Sequence, residues 1–308
     1  MATLKIDDNS LPSLNGKTAV VTGGASGIGF SAAKIMARKG ASVILLDIHE
    51  PEENLLPPGL QFYHCDVTKW RDLVAIFDEI GRIDYVYANA GTVEKTDYFA
   101  DSFDSEGRLE EPEYEELDIN FRAVVNIIKL AWRHMRARDV HGSVVITTSA
   151  TAYAPEQSLP VFCATKFALI GLVRSLRSVM IKDNITINAV APAATQTKLL
   201  PEHLAAPIRA MGLPVSTSDF VGIALVFSAT ATQKRLVEVY GKQEDAKLWT
   251  EGRWNGRVIL TLGDKYTELE ETISDLRPHW FGRENLELTR LQQAATDFDH
   301  SQVPEAQA

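Results

Sequence analysis

Residues 22–29, Thr22-Gly23-Gly24-Ala25-Ser26-Gly27-Ile28-Gly29, follow the apolar run of residues 18–21 and lead directly into a helical stretch over residues 30–39. This strand, glycine-rich turn and helix constrain the fold more than any other feature of the chain. Gly23 permits a tight turn, Gly27 lets the backbone approach a pyrophosphate, and Gly29 lets the helix pack close to the strand. Phosphates would then sit against Ser26 and Ile28 at the helix N-terminus, where free N–H groups and the helix dipole favour anions. Glycines alone would describe an ordinary strand–helix loop. Two further landmarks make the nucleotide reading specific.

Asp47 closes a second apolar run, residues 41–46, close to the ~20 residues beyond the glycines that the motif requires. A carboxylate there binds the ribose hydroxyls of the adenosine half and repels a 2′-phosphate. No arginine stands at Gly24 or Ile48 to receive that phosphate, so NAD(H) is expected over NADP(H). Asp66 and Val67, at the end of a third run over residues 61–64, suit an edge contact to adenine.

With these residues the chain resembles the short-chain dehydrogenase/reductase family, whose fingerprint has the spacing T-G-x-x-x-G-x-G. The resemblance runs over roughly residues 14–263. It continues through Asn89-Ala90-Gly91, the turn after the fourth strand, and through Asn120, Ser149 and Lys166, which match active-site positions. Pro192 and Thr197 match the segment that holds the nicotinamide carboxamide, although Ala193 stands where the family usually has glycine. The resemblance implies that Ser149 holds a substrate oxygen, that Lys166 also binds the nicotinamide ribose, and that Asn120 anchors a water relay. It also implies a homodimer or homotetramer built on two long helices.

One position departs from the pattern. Four residues before Lys166 stands Phe162, where the family carries the tyrosine that exchanges a proton with the substrate oxygen. Phenylalanine has no ionisable proton, and a positioned acid or base contributes about 10²–10⁴ in rate. Several readings stay open. Another donor serves, Tyr153 being a candidate, although a pocket-wall aromatic is the plainer account of it. The substrate needs no strong acid. The scaffold runs non-redox chemistry such as cyclisation, isomerisation or dehydration, or is a silent nucleotide-binding subunit. Or the residue is an introduced change that traps a complex.

The expected architecture is α/β: a Rossmann-type, doubly wound, seven-stranded parallel sheet with helices on both faces. Strands are expected near 18–22, 42–47, 60–65, 83–88, 143–148, 185–190 and 257–262, as short runs buried on both faces. Helices are expected over 121–138, 161–182 and 219–229, the last capped by Ser216 or Ser218. Prolines 51, 57 and 58 leave little more than a helical turn after Asp47. Residues 1–263 are expected to form one domain, and the resemblance implies a substrate loop at 198–215, whose leucines, Ile208 and Met211 favour a hydrophobic metabolite. Residues 264–308 form an extension, with a helix over 266–276 and a disordered tail from about Ala294.

Net charge of −10 argues against nucleic acid or an anionic membrane surface as partner. Two cysteines, Cys65 and Cys163, give no disulfide framework, and no run approaches a membrane span. A cytoplasmic location follows by default. His134 and His141 lack metal-ligand spacing and read as surface residues, so no metal is expected. The acidic segment 95–118 reads as a solvated loop.

Overall fold

The computed structural model describes residues 2–51 and 56–296. Its strands are β1 (Ala2–Leu4), β2 (Thr18–Thr22), β3 (Ser42–Asp47), β4 (Leu60–His64), β5 (Tyr85–Ala88), β6 (Ser143–Thr147), β7 (Thr186–Pro192), β8 (Thr232–Gln233), β9 (Gly252–Arg253), β10 (Val258–Leu262) and β11 (Lys265–Glu268). The main sheet has the order β1-β11-β10-β7-β6-β5-β2-β3-β4, while β8 and β9 pair separately. From β10 to β4 every neighbour is parallel. These are the seven expected strands.

Their composition explains the burial. Val20, Ile44, Val86, Val144 and Ile187 face one helical layer, and Val21, Leu45, Tyr87, Val145 and Val190 face the other. Successive side chains of a strand point to opposite faces, so runs apolar at every position must be covered on both. One cover contains α1 (Gly27–Arg38) and α7 (Ser218–Thr230). The other contains α2 (Trp70–Glu79), α4 (Ala123–Ala137) and α5 (Pro160–Met180). A short turn of helix, α3 (Glu115–Leu117), precedes α4, and α6 (Glu202–Ala210) lies in the expected substrate loop. Strand order reverses between β2 and β5, and a ligand crevice is expected beyond the carboxyl ends of the strands there.

Several expectations need correction. The extension joins the main sheet, because β11 pairs antiparallel with β10 and β1 pairs antiparallel with β11. Gly263, the expected domain boundary, lies in the turn of that hairpin. The helix expected over 266–276 is shorter: β11 occupies its start and α8 (Glu270–Asp275) follows. Tyr266 favours the strand because its ring stacks on Phe220 at 4.0 Å. Two helices then follow, α9 (Arg277–Trp280) and α10 (Arg283–Ala295), so Ala294 is helical. The rest of the expected tail, from residue 297, lies outside the described residues, as do residues 52–55 after Asp47.

Thr217, rather than Ser216 or Ser218, caps α7 by accepting from the Phe220 N–H. Both serine hydroxyls donate to backbone carbonyls instead. His134 is buried rather than on the surface, edge-on to Phe77, and burial lowers its pKa.

Candidate active site

The carboxyl ends of β2, β3, β5, β6 and β7 gather the residues singled out in the sequence. At β2, Gly23 adopts φ +61°, and its N–H donates to the Leu46 carbonyl at 2.8 Å. A Cβ at Gly23 would stand 2.8 Å from the Ala90 Cα, and one at Gly29 only 2.3 Å from the Gly23 carbonyl oxygen. Side chains at either position would push β2, α1 and the Asn89-Ala90-Gly91 turn apart. Gly27 opens α1 at φ +53°, and a Cβ there would meet Thr197 at 3.3 Å. Ser26, the N-cap residue, makes no side-chain capping bond, so the first-turn N–H groups at Ile28 and Gly29 are suited to an anion.

Asp47 lies at the end of β3. One of its oxygens accepts from Ala25 N–H and the other from His49 N–H, both at 3.1 Å. This fixes the carboxylate beside the glycine turn with acceptor capacity on both oxygens. Asp66 is held by Thr68, and the Thr68 hydrogen bonds keep its carboxyl below the ordinary range against the opposing effect of burial. Val67 next to it is buried.

Asn89 has a scaffolding role: its amide donates to the Thr22 and Gly23 carbonyls and accepts from the Thr147 hydroxyl. It ties the ends of β2, β5 and β6 together.

The second group of residues surrounds Lys166. Ser149 lies two residues past β6 and caps a short 3₁₀ turn, Ala150–Ala152, by accepting from Thr151 N–H at 3.1 Å. Its hydroxyl lies 3.5 Å from the Pro192 carbonyl. Lys166 is buried on α5, with Nζ 3.2 Å from the Thr147 carbonyl and 5.5 Å from the centre of the Phe162 ring. Burial lowers its ammonium to about 8. Asn120 is fully buried in a π-helical turn, Asp118–Arg122, just ahead of α4. Its amide exchanges two 2.9 Å hydrogen bonds with the Thr92 backbone. Gly91 lies between these groups: a Cβ on it would be 3.2 Å from the Asn120 oxygen and 3.4 Å from Lys166 Nζ.

Tyr153, a candidate substitute donor in the sequence, has its hydroxyl engaged by a carboxylate. Its hydroxyl donates to Glu270 at 2.7 Å, and burial and that carboxylate raise its pKa. The phenol is a neutral donor engaged away from Ser149.

Two residues were missed by sequence reasoning. Glu94 accepts from the N–H groups of Val161 and, at 2.8 Å, Phe162. It caps the helix that carries Phe162 and lines a cavity of about 530 Å³ together with Phe99, Leu159 and Pro160. Its place three residues past the Asn89-Ala90-Gly91 turn was the only available signal. Glu270, buried in the extension, had none. Cys163 is a buried free thiol, as expected. No cluster that could hold a metal ion occurs among the described residues.

Residues 17–206 match the sequence profile of the short chain dehydrogenases. The chain belongs to this family. It is 54% identical over 311 residues to the short-chain dehydrogenase/reductase ATR7 of Stachybotrys chlorohalonatus, covering 98% of this chain and 96% of the relative. It is 52% identical over 298 residues to the short-chain dehydrogenase/reductase prx4 of Penicillium roqueforti, covering 97% and 90%. Among solved structures, a short chain dehydrogenase/reductase family protein aligns with TM-score 0.57 and 26% identity over 70% of this chain and 90% of its own. A candidate gluconate 5-dehydrogenase from Beutenbergia cavernae, described with NADP at low occupancy, shares the fold at TM-score 0.60 and 23% identity, over 82% of this chain and 97% of its own. The family consists of oxidoreductases that use a nicotinamide cofactor, and the glycine cradle and open helix terminus described above fit such a group. No helix among the described residues is long and apolar enough to cross a membrane.

Proposed function

We propose that this chain is an NAD(H)-dependent dehydrogenase/reductase acting on a secondary alcohol or ketone of a hydrophobic metabolite, with its proton route altered at Phe162. The observation that carries the reading is the convergence of Ser149, Asn120, Gly91 and Lys166 at the strand ends that also hold the glycine cradle. Gly23, Gly27 and Gly29 admit the pyrophosphate, Asp47 the adenosine ribose, and Asp66 and Val67 the adenine edge. Ala90, Gly91, Pro192, Thr197 and Lys166 stand around the nicotinamide end. When bound, the nicotinamide accepts or supplies the hydride.

The chain's own residues manage the oxygen and the proton. The Ser149 hydroxyl orients the substrate oxygen. The Lys166 ammonium faces an aromatic ring instead of a phenol, and at about 8 it can exchange a proton near neutral pH. Water held between Lys166 and Asn120 then carries the proton that tyrosine would have moved directly. Asp47, with glycine at position 24 and isoleucine at 48 rather than arginine, supports NAD(H). Leu199, Leu204, Met211 and Leu213, exposed around α6, support an apolar substrate. Exposed Val125 on α4 and Phe167 on α5 support a homodimer on those helices, which light scattering of the purified chain would test.

Turnover of hydrophobic secondary alcohols and ketones, followed by nicotinamide absorbance for the wild type and Phe162→Tyr, tests this reading. The tyrosine variant should be about 10²-fold faster. Failure of either chain to bind NADH at millimolar concentration would overturn it. A non-redox lyase or isomerase would instead form product at full rate with an unreactive nicotinamide analogue.

A further inference from the structure

The 3₁₀ turn Ala150–Ala152, capped by Ser149, ends at Tyr153, whose hydroxyl reaches Glu270 at 2.7 Å. Glu270 opens α8 in the C-terminal extension, beyond the segment that matches the family profile. Its side chain is 1% exposed. The same carboxylate receives Arg174 in a bidentate pair, with both N–O distances 2.8 Å, and approaches Arg177 at 3.4 Å. Both arginines belong to α5, and Arg174 lies two i,i+4 steps beyond Lys166. One buried anion therefore holds the serine's turn with one oxygen and the lysine's helix with both. A bidentate arginine pair fixes orientation as well as distance.

We propose that Glu270 is a positioning residue: through Tyr153 and Arg174 it sets the Ser149 turn against the helix carrying Phe162 and Lys166, so the extension completes the reaction centre. This rests on the reading that Ser149 and Lys166 flank that centre. It does not depend on the direction of the reaction or the identity of the substrate. The β10–β11 hairpin carries Glu270 into place, since its N–H and that of Glu271 donate to the Glu268 carboxylate at the end of β11.

The test compares the full-length wild type with Tyr153→Phe, Glu270→Gln and the control Asp275→Asn. The control loosens the same extension at its pair with Arg235 without touching Tyr153 or α5. Backbone hydrogen exchange is the first readout. Tyr153→Phe should speed exchange over residues 150–153 by about tenfold and leave the central strands unchanged. Glu270→Gln keeps an acceptor for Tyr153 but weakens the hold on Arg174, so exchange should rise in α5 near residue 174 as well. NADH affinity, read by its fluorescence, should stay within about twofold for Tyr153→Phe, because the cradle lies at β2 and β3.

Turnover is the second readout, taken in the Phe162→Tyr background with whichever alcohol that variant oxidises. There Tyr153→Phe should lower kcat about tenfold with KM within about twofold. Exchange over residues 150–153 within twofold of wild type would overturn the proposal. So would an equal effect from Asp275→Asn, or a uniform rise in exchange across the sheet. If no alcohol is oxidised by any chain, the dehydrogenase reading fails, while exchange and NADH binding still decide the role of Glu270.

Discussion

The nucleotide end and the reaction end of this molecule are built differently. Around β2 and β3 the decisive features are backbone features: positive φ at Gly23 and Gly27, a missing Cβ at Gly29, and N–H groups at the start of α1. Around β6 and α5 they are side chains brought from far along the chain. Asn120 meets Thr92, Glu94 caps the helix of Phe162, and Glu270 reaches Tyr153 from 117 residues away. A site made from local backbone tolerates little change in the residues that shape it. A site made from distant side chains can lose one member, as at Phe162, and keep its scaffold. On the proposed reading, this is how the glycine cradle can be kept beside a reaction centre that has phenylalanine at position 162.

The largest effect is expected at Gly29. Gly29→Val would drive side-chain atoms into the Gly23 carbonyl and the Asn89 amide. NADH binding, followed by fluorescence titration, should fall by about 10²-fold or more, since neither neighbour can withdraw without opening the sheet. Tight binding by that variant would show that the cradle is not where the phosphates sit.

At the reaction end, the pH dependence isolates Lys166. A group near 8 is charged below that pH and neutral above it, so alcohol oxidation should rise about tenfold per pH unit below 8 and level off above it, and ketone reduction should fall above 8. Lys166→Met should flatten both profiles. The same depressed value predicts a stability increment as pH rises from about 8 toward the ordinary lysine range. There the unfolded chain binds the proton and the folded one does not.

Cofactor choice sharpens the local character of the nucleotide end. Asp47→Ser with Ile48→Arg removes the carboxylate and supplies a cation for a 2′-phosphate. The ratio of NADP(H) to NAD(H) affinity should rise about tenfold or more, with the Phe162-centred chemistry unchanged. The smallest effect is expected at the cap of α7. Thr217→Ala removes the acceptor for the Phe220 N–H and should lower unfolding stability by about 1 kcal/mol in denaturant titration, with NADH binding unaffected.

The difference between the two ends also explains what was legible in the sequence. The glycine spacing, Asp47 and the apolar strand runs each encode a local geometry, so the seven parallel strands and the cradle could be read directly. Phe162 and Lys166 were legible because one helical turn separates them. The hydrogen bond from Tyr153 to Glu270 was not legible, because Glu270 lies in a segment with no local signal. A single carboxylate among the 41 acidic residues does not announce that it is buried against two arginines. The β11 strand was read as a helix because its four residues carry too short a pattern to separate the two periods. Stacking of Tyr266 on Phe220, a tertiary contact, decides it.

On the proposed reading, this chain transfers hydride at a centre that carries phenylalanine at position 162. Mass analysis of the product formed from a ketone and NADH carrying deuterium at both C4 positions, with wild type and Phe162→Tyr side by side, reads this out. One deuterium is expected at the carbinol carbon with both chains, appearing about 10²-fold faster with the tyrosine variant. Unlabelled product formed at the same rate by both chains would contradict it.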